Sequence, residues 1–129
     1  MAPSARELAL TYLDAVGRRD FAAVETLLAP DIRATGPAAT RTCARDLIHA
    51  MKQLSAVHVR SDVRHLFVDG NDVCVIYDFI TDTPVGAFPM VEWLHFKEGR
   101  IQTIFLFYDQ LPWHAALGEL RRVCSQPRG

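Results

Sequence analysis

Long apolar runs are missing from this sequence: none reaches the roughly 18–20 residues of a membrane span. The expectation is a protein without a membrane partner. An excess of one charge is missing as well. The formal net charge is −1, with no basic run and no acidic tail, which argues against nucleic acid as a partner. A glycine-rich, phosphate-cradling loop is absent, which removes nucleotide roles. Cysteine is scarce: Cys43, Cys74 and Cys124 form an odd, scattered set. That suits reduced thiols in a cytoplasm rather than a disulfide frame. None has a second cysteine or a histidine at metal-ligand spacing, so no metal site is expected. The first residues, Met-Ala-Pro-Ser-Ala-Arg-Glu, lack the basic-then-apolar form of a signal peptide, and the expected location is cytoplasmic.

What is present is a chain of 129 residues, half of them hydrophobic. That predicts one globular domain over 1–129, with a core and room for one small cavity. Ser4 followed by Glu7 is a capping-box pattern, and Leu8, Tyr12, Ala15 and Val16 continue it as one helical stripe that stops near Gly17. Asp20 caps a second helix with Phe21, Val24, Leu27 and Leu28 on its buried face, and Pro30 ends it. Asp31 to Gly36 reads as a short strand or extended arm, and Gly36-Pro37 as a turn. Thr40 or Thr42 opens a third helix with Ala44, Leu47, Ile48, Met51 and Leu54 inside.

After Ser55 the period changes to two. From Val57 to Val68 the pattern predicts Val57, Val59, Val63, His65 and Phe67 on one face, and Arg60, Asp62 and Arg64 on the other. Turn signals at Asp69-Gly70-Asn71, Thr83 to Gly86 and Glu98-Gly99 then separate strands at Val73–Thr81, Phe88–Phe96 and from Ile101 to Tyr108. The last is almost unbroken apolar and aromatic, which predicts a strand buried on both faces. Pro112 opens a short final helix carrying Ala116, Leu117 and Leu120. Helices grouped before a four-strand antiparallel meander imply an α+β fold, the helices against one face of a curved sheet.

Several polar residues stand out in apolar strands. Glu92 lies between Val91 and Trp93; if it shares a face with Met90, Leu94 and Phe96, burial raises its pKa and makes it a usable acid or base. Asp109 ends the last strand, either at the mouth of a pocket or as a cap of the turn. Tyr12 is either a core tyrosine or a donor to a substrate oxygen. His65, placed with Val63 and Phe67, has a pKa suited to proton transfer. Tyr77 and Asp78 are adjacent, so only one faces inward, and Asp78 can pair with His65 or an arginine. Phe105 and Phe107, turned outward, would suit a subunit interface.

The order and spacing of Tyr12-Leu13-Asp14-Ala15, Arg19-Asp20-Phe21, Leu27 to Ile32, Phe96 to Ile101 and Phe107-Tyr108-Asp109 resemble the NTF2-like, or SnoaL-like, superfamily. The resemblance implies an α+β cone: three N-terminal helices packed on a curved, mainly antiparallel sheet of four to six strands around an apolar pocket. It also implies homodimers through the sheet. Against its ketosteroid isomerase-like members, Tyr12 stands where a tyrosine forms half of an oxyanion hole. Glu92 stands where they keep a second acid, and Gly36 where they keep the base. Against the limonene-type epoxide hydrolases, the three functional positions are Met90, Glu92 and Leu106. Against the SnoaL-type polyketide cyclases, Asp109 matches the acid/base. The resemblance and the reading of the residues together give candidate catalytic roles to Asp109, Glu92, Tyr12 and His65, and a candidate substrate-binding wall of Tyr77, Asp78, Met90, Leu94, Leu106 and Tyr108.

The expected function is cofactor-independent proton transfer (cyclisation, isomerisation or epoxide opening) on a small, oxygenated, mostly apolar metabolite such as a polyketide. The alternatives are a non-catalytic small-molecule-binding domain and a dimerisation domain.

Overall fold

The computed structural model describes residues 2–125, with the side chains of residues 113, 115–117, 119 and 123 outside that description. The elements run α1 (Ala5–Gly17), α2 (Phe21–Leu27), β1 (Leu28–Thr35), β2 (Thr40–Arg41), α3 (Ala44–Leu54), β3 (His58–Asp69), β4 (Asp72–Thr81), β5 (Ala87–Lys97), β6 (Arg100–Phe107) and α4 (Gln110–Ser125). The six strands form one sheet in the order β2-β1-β6-β5-β4-β3. β1 runs parallel to β6, and the remaining pairs are antiparallel. Helices therefore pack on a curved mixed sheet, the α+β cone that the resemblance implied.

Local chemistry starts the helices as expected. Ser4 Oγ accepts from the Glu7 backbone N–H at 3.2 Å, and Asp20 Oδ1 from that of Ala23 at 3.1 Å. α2 ends sooner than predicted. Leu28 leaves the helix to pair with Ile101 of β6 and is fully buried there. The ladder contact outweighs the local helical signal. Pro30 sits inside β1 where the β1–β6 register breaks, between Leu28 and Arg33, so its missing N–H costs no ladder bond. Thr40 is drawn into β2 opposite Thr35, which leaves Cys43 to begin α3 without a side-chain cap. The final helix forms. Leu120 lines the cavity described below, while the side chains of Ala116 and Leu117 lie outside the described residues.

β4 and β5 alternate strictly between buried and more exposed residues. Val73, Val75, Tyr77 and Phe79 share the concave face with Phe88, Met90, Glu92, Leu94 and Phe96. β3 does not keep step. Its register against β4 slips at Val59 and again at Arg64, and each extra residue inverts the faces that follow. His58, Ser61, Val63 and Leu66 consequently pair with concave residues, and Arg60, Asp62, His65 and Phe67 with convex ones. The predicted face that joined Val63 with His65 and Phe67 is therefore corrected.

β6 is central in the sheet, but only its concave residues Ile101 and Ile104 are buried. On the convex side Phe107 is 54% exposed, near Trp93 at 42% on β5. The expectation of a strand buried on both faces fails, because none of the described residues covers the convex side at Phe107.

Candidate functional site

α1, α3 and α4 close over the concave face and leave a cavity of about 400 Å³ lined mainly by apolar side chains. A second depression of about 270 Å³, at Ala29–Asp31 and the β5–β6 hairpin, is lined by surface polar groups and holds no buried acid.

At the inner wall of the larger cavity stands Glu92, only 6% exposed. The pleat of β5 turns it inward beside Met90, and burial among apolar side chains makes a charge there costly. Two phenols compensate. Tyr12, on the buried stripe of α1, donates to Oε1 at 3.0 Å, and Tyr77, on β4, donates to Oε2 at 3.1 Å. Burial raises the Glu92 pKa above the ordinary carboxylate value, and the two tyrosine hydrogen bonds pull it partly back. Burial, then the Glu92 charge, pushes both Tyr12 and Tyr77 well above 10, so both remain hydroxyl donors. This cluster can hold a proton on a carboxyl in an apolar setting and present O–H groups to a ligand oxygen.

A second polar group on the same cavity comes from β3. His58 Nε2 and Ser61 Oγ stand 2.9 Å apart, and the imidazole stacks on Phe79 with ring centroids 4.3 Å apart. Arg19, in the left-handed region at φ 57°, donates to the His58 carbonyl at 2.5 Å and so anchors that backbone. Burial lowers the His58 pKa below 6.5; a backbone hydrogen bond at Arg60 works against this, and the Arg19 charge adds to it. Neither residue was among those singled out above. His58 and Ser61 are three apart, which puts them on opposite faces of a regular strand, and the slip at Val59 that unites them has no sequence signature.

The predicted site residues separate cleanly. Tyr12, Tyr77, Met90, Glu92, Leu106 and Tyr108 line the cavity. Leu94 is on the same face but fully buried in the core, away from the cavity. Asp78 points to the convex side, where Arg64 donates to its two oxygens at 2.7 and 2.8 Å, the arginine partner foreseen as one option. His65 is also convex and exposed, its ring against Phe67, because the extra residue at Arg64 turned it outward. Asp109 is exposed and accepts from the Leu111 backbone N–H at 3.0 Å, the turn-capping arrangement, and it does not line the cavity.

Gly36 lines the cavity where the resemblance places a base. A Cβ there would stand 3.3 Å from Leu106 Cβ, a tight contact. At the rim, Arg41 and Arg121 have no ion pair among the described residues. No group of three His, Cys, Asp or Glu side chains able to hold a metal occurs among the described residues.

The model of the SnoaL-like domain matches residues 9–104. An NTF2-like protein of unknown function from Cytophaga hutchinsonii ATCC 33406 is 23% identical with a TM-score of 0.78, covering 88% of this chain and 97% of its own. A protein from Kribbella flavida DSM 17836 is 29% identical at TM-score 0.78, covering 89% and 94%. A candidate polyketide cyclase from Sinorhizobium meliloti is 18% identical at TM-score 0.71, covering 77% and 92%. None of the curated proteins matches.

Proposed function

The chain belongs to the SnoaL-like domain family, and from that premise we propose that it is a cofactor-independent enzyme moving a proton on a small, oxygenated, mostly apolar molecule. The observation that carries this reading is the Glu92 carboxyl, buried in the cavity wall under two tyrosine hydroxyls. A buried acid with no cation beside it is a costly arrangement for stability alone. It is a useful one where negative charge develops on a substrate oxygen.

When a solvent hydroxide or buffer base takes the proton from a C–H bond next to a carbonyl, the electron pair of that bond moves to the oxygen. Protonated Glu92 donates a hydrogen bond to that oxygen, and Tyr12 and Tyr77 fix the carboxyl and limit its reorganisation. Enolate chemistry of this kind serves isomerisation and aldol-type ring closure. Epoxide opening is less well served, because Met90 and Leu106 occupy the places of the acidic and basic partners in the epoxide-hydrolase resemblance. The structural likeness to a candidate polyketide cyclase supports the same reading at the level of fold. Homodimerisation through the convex face belongs to this proposal, since Trp93 and Phe107 leave apolar surface uncovered there.

Deuterium incorporation into 2-tetralone, cyclohexanone and an acyclic β-diketone, followed by NMR, tests the reading. The wild type is expected to accelerate exchange of at least one. Glu92→Gln and Tyr12→Phe are expected to lower that rate by about 10²-fold or more. A wild type no faster than Glu92→Gln on all three overturns the proposal.

A further inference from the structure

We infer that the cavity contains a second polar subsite, formed by His58 and Ser61, which receives a hydroxyl group at the far end of a flat ligand whose other oxygen rests at Glu92. The inference builds on the reading of Glu92 just given.

The first support is placement. Both side chains line the cavity, and His58 is only 8% exposed. Between them and Glu92 the wall carries Phe79, Met90 and Tyr77, whose hydroxyl is turned to Glu92. The second is preorganisation. Phe79 stacks beneath the imidazole, Ser61 holds Nε2, and Arg19 ties down the His58 carbonyl, so a ligand meets a pair already oriented. The third is span. His58 lies opposite Thr81 on β4, whereas Glu92 lies opposite Val75, with Phe79 and Tyr77 as the concave residues between. Those positions are three two-residue steps apart, about 20 Å of strand, but the side chains converge: the imidazole stacks on Phe79 and the carboxyl meets the Tyr77 hydroxyl, and these two residues are one step of about 6.6 Å apart. The imidazole therefore stands on the order of 10 Å from the carboxyl. That span fits a molecule of one or two fused rings with an oxygen at each end, and the cavity of about 400 Å³ accommodates it.

The chemistry of the pair defines the group received. Burial and the Arg19 charge keep the imidazole neutral at pH 7, with one ring nitrogen a donor and the other an acceptor. A neutral imidazole beside a serine hydroxyl offers both an acceptor and a donor, which is complementary to a phenol or an alcohol. Where the ligand hydroxyl is acidic, Nε2 can take a proton through Ser61: the ligand O–H and Ser61 O–H bonds break, new Oγ–H and Nε2–H bonds form, and the electron pair stays on the ligand oxygen.

Binding of 2-naphthol, naphthalene-2,6-diol and naphthalene-2,7-diol, read by their fluorescence, tests the subsite. At least one diol is expected to bind the wild type about tenfold or more tightly than 2-naphthol. Ser61→Ala and His58→Phe, each with its fold verified by circular dichroism, are expected to remove that gain, so that the diols bind each variant no more tightly than 2-naphthol does. Glu92→Gln is expected to weaken all three probes. Diols no tighter than 2-naphthol in the wild type overturn the subsite, as does a gain that survives both Ser61→Ala and His58→Phe. Binding of 2-naphthol that is indifferent to Glu92→Gln overturns the Glu92 reading instead, and failure of every probe to bind the wild type overturns both.

Discussion

At the scale of single residues, the surroundings of two of the cavity's titratable groups, Glu92 and His58, push them in opposite directions. Glu92 has a folded-state pKa above 4.5, so it contributes stability that is complete below the unfolded value and lost as pH rises through the folded one. His58 has a folded-state pKa below 6.5, so its contribution is present above the unfolded value and lost as pH falls through the folded one. Urea unfolding across pH 4–9 is the measurement. The wild type is expected to lose stability relative to Glu92→Gln as pH rises from acid toward neutral. Relative to His58→Gln it is expected to lose stability as pH falls below about 6.5. Parallel curves for wild type and variant would contradict the assignment for that residue. Tyr12, Glu92 and Tyr77 could be found in the sequence because each is a polar group at an apolar position of an unbroken period. Asp109 and Asp78 looked equally odd. They differ in having an outward partner, the Leu111 N–H and Arg64, that no periodicity reveals.

At the scale of elements, legibility follows regularity. β4 and β5 keep a strict period of two, so alternation grouped Glu92 with Met90, Leu94 and Phe96 and reduced Tyr77 and Asp78 to a choice of one, while which set faces inward is decided by the packing. β3 carries two register slips, so the same alternation placed His65 on the wrong face and hid His58 and Ser61. The α2–β1 junction shows the other failure. Its local signal favours helix through Leu28, and only the pairing with Ile101, far along the chain, decides for strand. Leu28 is 1% exposed. Leu28→Ala is therefore expected to destabilise by about 2–5 kcal/mol in chemical denaturation, the cost of a core cavity. A loss under about 1 kcal/mol, typical of helix-surface changes, would mean that this junction does not carry the packing described.

At the scale of the whole molecule, the sheet has one face filled by helices and one face that the described residues leave bare. Phe67, Trp93 and Phe107 are 55%, 42% and 54% exposed on the bare side. Apolar side chains of this size on one sheet face mark an association surface. Sedimentation velocity is expected to show a wild-type dimer, and Phe107→Lys is expected to shift it to monomer while the far-ultraviolet spectrum is retained. A monomeric wild type at micromolar concentration would refute the dimer. The cavity opens on the opposite face, so the monomeric variant is expected to keep 2-naphthol binding.

The contact between Gly36 and Leu106 has an evolutionary consequence. An acid at position 36 collides first with a Cβ, an atom fixed to the β6 backbone, so no rotamer change at residue 106 relieves it. The ends of β1 and β6 must part by a few tenths of an ångström. Acquiring or losing a base at this place is therefore tied to the separation of two strands, not to one codon.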